Sequence, residues 1–94
     1  MEDNQNSLRK EFVINNKLGL HARPAAMFVK LANSFDAEIW VGNEEDEVNG
    51  KSIMGLMMLA AASGTKLSIS AEGKDACAAV SALGDLVEGG FEEN

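Results

Sequence analysis

An imidazole, a guanidinium and several small side chains stand together in the run Gly19-Leu20-His21-Ala22-Arg23-Pro24-Ala25-Ala26. His21 is the only histidine of the chain, and Arg23 is its only arginine apart from Arg9. An imidazole that is neutral near cell pH is a nucleophile able to carry a phosphoryl group covalently. A guanidinium two residues away offers a fixed positive charge and a planar donor fork for phosphate oxygens. Gly19 permits close approach of another molecule, and the alanines leave little to cover the ring. Pro24 suits the first turn of a helix, where a missing N–H costs nothing. The run therefore reads as the mouth of a helix, whose unpaired amides and positive dipole end favour an anion. The structural alternative is a histidine that merely caps the helix or packs in the turn.

A second motif is Asn49-Gly50-Lys51-Ser52-Ile53-Met54-Gly55-Leu56-Met57-Met58. Ser52 is a natural N-cap, and that alone could be its role. A short helix cannot bury every apolar side it has. Leu56 and Leu59 are the candidates for its core face, leaving Ile53, Met54 and Met57 outside. Flexible exposed methionines suit a surface that meets several partners.

These motifs belong to a chain of 94 residues, enough for one small domain with a modest core and a shallow site. A net charge of −7 argues against nucleic acid and against anionic membranes as partners. No apolar run reaches membrane-spanning length, and residues 1–10 lack the apolar centre of a signal peptide, so a cytoplasmic location is expected. With one cysteine, Cys77, and one histidine, neither a disulfide nor a metal site is expected. Cys77 is expected to face the core or a neighbouring helix. The acidic run Glu44-Glu45-Asp46-Glu47 lacks the alternating ligands and central glycine of a calcium loop and reads as a solvated hairpin turn.

The elements that must hold the motifs follow from hydrophobic period. Residues 1–10 read as a flexible leader and 11–94 as the folded domain. A strand is expected over Glu11–Asn16, with Phe12 and Ile14 on one face. A helix over Ala22–Asn33 follows, with Ala25, Phe28, Val29 and Ala32 inward and Met27 and Leu31 toward its other side. Strands over Ala37–Val41, with Trp40 outward, and Glu47–Asn49 make a hairpin. A short helix begins after Ser52 and runs to about Leu59. A strand begins at Lys66, with Leu67, Ile69 and Ala71 inward and Ser68 and Ser70 outward. A last helix over Ala76–Val87 is capped by Asp75 and stopped by Gly89-Gly90. Its stripe of Ala76, Ala79, Val80, Leu83 and Val87 must offset Gly84, which costs about 1 kcal/mol against alanine in a helix. The order βαββαβα predicts an α/β (α+β) two-layer sandwich with helices on one face of a four-stranded sheet.

The stretch Leu18-Gly19-Leu20-His21-Ala22-Arg23-Pro24-Ala25 resembles the active-site signature of the HPr family. These are the histidine phosphocarriers of the bacterial phosphoenolpyruvate-dependent phosphotransferase system. The resemblance extends over about residues 10–91. It implies an open-faced sandwich of a four-stranded antiparallel sheet with three helices on one face. It implies that His21 accepts phosphate on Nδ1 from enzyme I and passes it to an enzyme II A-type partner, with Arg23 steadying the phosphate. The run around Ser52 resembles the family's regulatory site, which implies phosphorylation by HPr kinase. Docking is then expected on Ala22, Arg23, Ala26 and Met27 from the first helix and Ile53, Met54 and Met57 from the second. The resemblance implies a monomer that needs no cofactor and has no turnover of its own.

Two rivals remain at this level. One is a phosphorylation-switched regulatory binding protein, since Asn16-Lys17-Leu18-Gly19 and the ending Leu86 to Glu93 look like the family's nitrogen-branch paralogue. The other, a stand-alone enzyme with His21 as general base, is disfavoured because no second titratable group lies near His21 in sequence and the chain leaves little room for a pocket.

Overall fold

Apolar residues at period two in the strand segments and at helical period in the others require a sheet covered on one face by helices. The computed structural model, which describes residues 7–93, has that arrangement. The elements are β1 (Ser7–Val13), α1 (Ala22–Ala32), β2 (Glu38–Gly42), β3 (Glu47–Asn49), α2 (Ile53–Leu59), β4 (Lys66–Glu72) and α3 (Ala76–Glu88). The sheet order is β1-β4-β2-β3, with every neighbouring pair antiparallel. The fold is an open-faced α+β sandwich, as expected.

The inward stripe of α1 (Ala25, Phe28, Val29, Ala32) meets that of α3 (Ala76, Ala79, Val80, Leu83, Val87) over Ile39, Val41, Leu67, Ile69 and Ala71 of the sheet. Each fully buried Phe, Leu, Ile or Val side chain in this cluster stabilises the fold by about 1.5–3 kcal/mol. Gly84 has a packing reason. A Cβ there would lie 2.3 Å from the Phe12 ring, so the glycine lets α3 settle on β1.

Several local expectations need correction. The first strand starts at Ser7 and ends at Val13, rather than spanning Glu11–Asn16. Ser7 to Lys10, assigned to the leader, pair with Glu72 to Ile69 of β4, while residues 1–6 lie outside the described residues. The inward parity of this edge strand is Leu8, Lys10 and Phe12, so a lysine interrupts the apolar alternation that would have marked it. Ser68, expected outward, is buried, with its hydroxyl donating to the Gly42 carbonyl at 3.3 Å. Trp40 is half-buried beside Asn49 and Ser70. Cys77 is exposed rather than facing the core or a neighbouring helix.

Asp75 does stand at the N-cap of α3, but its side chain makes no cap bond. Its carboxylate instead accepts the N–H groups of Asp36 and Ala37, each at 2.8 Å, and so ties the loop before β2 to the loop before α3. The Asp36 N–H is the main reason its carboxyl is held below the usual carboxylate value; partial desolvation opposes it, and the Ala37 N–H, its own N–H and the Lys51 ammonium assist.

Candidate functional site

The approach to α1 is fixed by a glycine that no other residue could replace without strain. Gly19 has φ +71°, and a Cβ on it would lie 2.4 Å from the Ala61 carbonyl oxygen. That carbonyl accepts the Leu20 N–H at 2.8 Å, so the loop before α1 rests on the segment after α2. Leu20 is buried by the same contact region, and the next residue, His21, is delivered to the surface.

His21 is the N-cap residue of α1. Its backbone is extended (φ −87°, ψ −168°), its carbonyl accepts the Ala25 N–H at 3.0 Å, and its side chain makes no cap bond. Among the described residues, the N–H groups of Ala22 and Arg23 have no acceptor. They are the free donors that a helix start offers to an anion. The imidazole is 37% exposed. Ala22, Arg23 and Ala26 are exposed on the same helix start, whereas Met27 is half-buried. Arg23 lines an open hollow of about 340 Å³ with Lys17, Leu18, Glu92 and Glu93.

The ring is not isolated, although no second titratable group lies near it in sequence. Glu93, 72 residues away in sequence, brings its carboxylate to within 3.1 and 3.4 Å of Nε2. A carboxylate can only accept, so Nε2 is the donor in this contact, and Nδ1 has no hydrogen-bond partner among the described residues. Asn16, fully buried, donates from Nδ2 to Glu93 Oε1 at 2.9 Å and to the Gly19 carbonyl at 2.8 Å. One amide therefore fixes both the loop that carries His21 and the carboxylate behind the ring. Phe91, buried, anchors the tail, and three successive residues with positive φ (Gly90 +71°, Phe91 +55°, Glu92 +62°) turn it back toward α1. Two glycines and an aromatic after a helix were the signal that this tail folds back. Nothing in the sequence gave its destination.

At the start of α2 the Ser52 hydroxyl accepts the Gly55 N–H at 3.0 Å, as an N-cap should. The neighbouring Lys51 ammonium is engaged by the Phe35 carbonyl at 2.7 Å. Leu56 and Leu59 are buried, while Ile53, Met54 and Met57 are exposed, as expected. Met58, 77% exposed, extends this apolar patch, and Leu18, 70% exposed, adds an apolar side chain beside the hollow. Neither was singled out in the sequence. Among the described residues no helix is long and apolar enough to cross a membrane.

Comparison with known proteins fits this geometry. Residues 8–89 match the family model described as the PTS HPr component phosphorylation site. The phosphocarrier protein HPr of Neisseria meningitidis is 50% identical over 86 residues, covering 92% of this chain and 97% of the relative. The crystal structure of HPr-C-His from Thermoanaerobacter tengcongensis superposes with a TM-score of 0.89 at 47% identity, covering 93% of this chain and 98% of that one. Crh of Bacillus subtilis, a catabolite repression protein seen as a domain-swapped dimer, gives a TM-score of 0.72 at 43% identity, covering 79% and 85%. With its matched span running from β1 to the end of α3 and an imidazole standing at an open helix start, the chain belongs to the HPr family of the phosphotransferase system, whose HPr proteins are phosphocarriers rather than catalysts in their own right.

Proposed function

We propose that this protein accepts a phosphoryl group on Nδ1 of His21 from enzyme I and donates it to an enzyme II A-type protein. The observation that carries this reading is the asymmetry of the ring. Nε2 is held from behind by Glu93, and Nδ1 is unpartnered at a helix start whose first amides are open. The Nδ1 lone pair attacks phosphorus while the bond to the donor breaks. The phosphoryl oxygens then accept from the Ala22 and Arg23 N–H groups and from the Arg23 guanidinium. One arginine and two amides stabilise the phosphate moderately, which a carrier needs if it is to release its load. Docking would use Ala22, Arg23, Ala26 and Met27 with Ile53, Met54 and Met57, to which we add Met58 and Leu18. The reading includes a monomeric carrier in the cytoplasm, acting without a bound cofactor.

Ser52 fits a regulatory site for HPr kinase. A phosphate there would place about −1.5 to −2 charges beside the exposed methionines. The start of α2 would tolerate the charge, but a partner's apolar or acidic face would not, so acceptance at His21 would slow. The likeness to Crh favours a second reading, in which phosphorylation chiefly selects a regulatory partner.

Mass spectrometry after separate incubation with enzyme I, phosphoenolpyruvate and magnesium, and with HPr kinase, tests these assignments. The first should give an acid-labile, base-stable adduct that His21→Ala abolishes; the second should give an acid-stable adduct that Ser52→Ala abolishes. A reversed pattern overturns the assignment. If His21 takes up phosphate that no A-type protein removes, the regulatory reading replaces the carrier.

A further inference from the structure

The tail that returns to His21 is costly to build. It places two consecutive non-glycine residues, Phe91 and Glu92, at φ +55° and +62°, and it anchors the turn by burying the Phe91 ring. What the turn delivers is one carboxylate. Glu93 Oε2 lies 3.1 Å from His21 Nε2, and Oε1 accepts from Asn16, whose amide is itself fully buried. The Glu93 side chain is only 20% exposed, so water screens this contact less than it would a surface pair. The arrangement is a buried amide holding a carboxylate that holds an imidazole, with Nδ1 left without a hydrogen-bond partner among the described residues.

We propose that Glu93, fixed by Asn16, is a positioning residue for phosphoryl transfer. It keeps the proton on Nε2 and stabilises the ring charge that appears when Nδ1 is phosphorylated. The step balances as follows. Neutral His21 carries H on Nε2 and a lone pair on Nδ1. That pair forms the N–P bond as the donor's bond to phosphorus breaks, and the bonding electrons leave with the donor atom. The ring thereby becomes a phosphorylated imidazolium that still bears the Nε2 proton, and its positive charge faces the Glu93 carboxylate. Carboxylate–imidazole pairs in hydrolases stabilise an imidazolium in the same way. In the reverse sense the Nε2 proton keeps the imidazole a good leaving group when the acceptor attacks phosphorus. Glu93 thus speeds loading, and by retaining the Nε2 proton it keeps the ring able to leave on unloading, without touching the phosphate.

This inference rests on His21 being the carrier, and the test separates the two. Single-turnover transfer from phosphorylated enzyme I is measured for the wild-type protein, Glu93→Gln, Glu93→Asp and Glu93→Ala, together with ¹⁵N spectra of the His21 ring. Glu93→Gln preserves size and an acceptor oxygen but removes the charge. It should slow the first-order transfer step about tenfold while leaving half-saturation by the donor protein unchanged. Glu93→Asp, retaining the charge, should recover part of the rate. The ¹⁵N spectra should place the proton on Nε2 in the wild type and show a mixture of tautomers in Glu93→Ala. A merely structural tail would shift half-saturation or thermal stability and leave the tautomer alone. Wild-type-like transfer and tautomer in both Glu93→Gln and Glu93→Ala overturn this proposal and leave the carrier intact. Failure of the wild-type protein to take phosphate on His21 overturns the carrier reading itself.

Discussion

At the start of α2 the Ser52 hydroxyl closes onto the Gly55 N–H at 3.0 Å, whereas at the start of α1 the His21 side chain turns away from its helix and meets Glu93 instead. A side-chain cap is worth about 1 kcal/mol, so α1 goes without a stabilisation that α2 takes. The stronger helix can do so. Over its 11 residues α1 buries Pro24, Ala25, Phe28, Val29 and Ala32, whereas the 7 residues of α2 bury only Leu56 and Leu59. Packing holds α1 without a cap, which leaves its first amides available to a ligand. The short α2 needs its cap, and its remaining side chains stay outside as an apolar patch. The same serine that closes α2 is the group whose modification would alter that patch. One helix start keeps its first amides open and the other closes onto its own cap; under the proposed function the first would receive the phosphate and the second would carry the control.

The contrast gives four expectations. The largest effect is at His21. His21→Ala should lose all acid-labile phosphate by mass spectrometry yet melt within about 0.5 kcal/mol of wild type, because no cap bond is lost. A large fall in stability would show that the histidine does cap α1. Next, Arg23→Ala should slow phosphate uptake by about 10- to 100-fold, the worth of a hydrogen bond to a charged group, as measured by rapid-quench transfer from enzyme I. Ser52→Ala should show the opposite pattern to His21→Ala. It should lose about 1 kcal/mol in denaturant melts while uptake at His21 stays within twofold of wild type. The smallest effect concerns the third helix start, where Asp75 binds the Asp36 and Ala37 N–H groups rather than its own helix. Its carboxyl is lowered in the folded state, so its contribution is present above the unfolded carboxylate pKa and is lost as pH falls through the folded value. Acid unfolding of Asp75→Asn should therefore show a shallower loss of stability below about pH 4 than wild type. Identical acid limbs would remove Asp75 from that account.

Periodicity was a good guide where burial was one-sided. The inward stripes of α1 and α3 and the alternation of Ile39, Val41, Leu67, Ile69 and Ala71 are all buried as expected. It failed at β1, because an edge strand with Lys10 in its inward parity owes its existence to pairing with β4 rather than to its own pattern. It also misjudged Asp75, whose chemistry suits a cap but whose oxygens are taken by amides 39 and 38 residues away. Local sequence could propose the acceptor; only the loops' meeting could choose its donors.

The functional site divides along the same line. Residue types and spacing within Gly19 to Ala26 were enough to place an imidazole and an exposed cation at an open helix start and to propose the ring as nucleophile, because those positions lie within one or two turns of chain. Glu93 and Asn16 lie outside that reach. Which ring nitrogen is free depends on a carboxylate brought across 72 residues, and that placement needs the buried Phe91, the left-handed turn and the Asn16 amide together. Short-range chemistry is written in neighbouring side chains, whereas the orientation of the imidazole is a consequence of packing between the two ends of the chain.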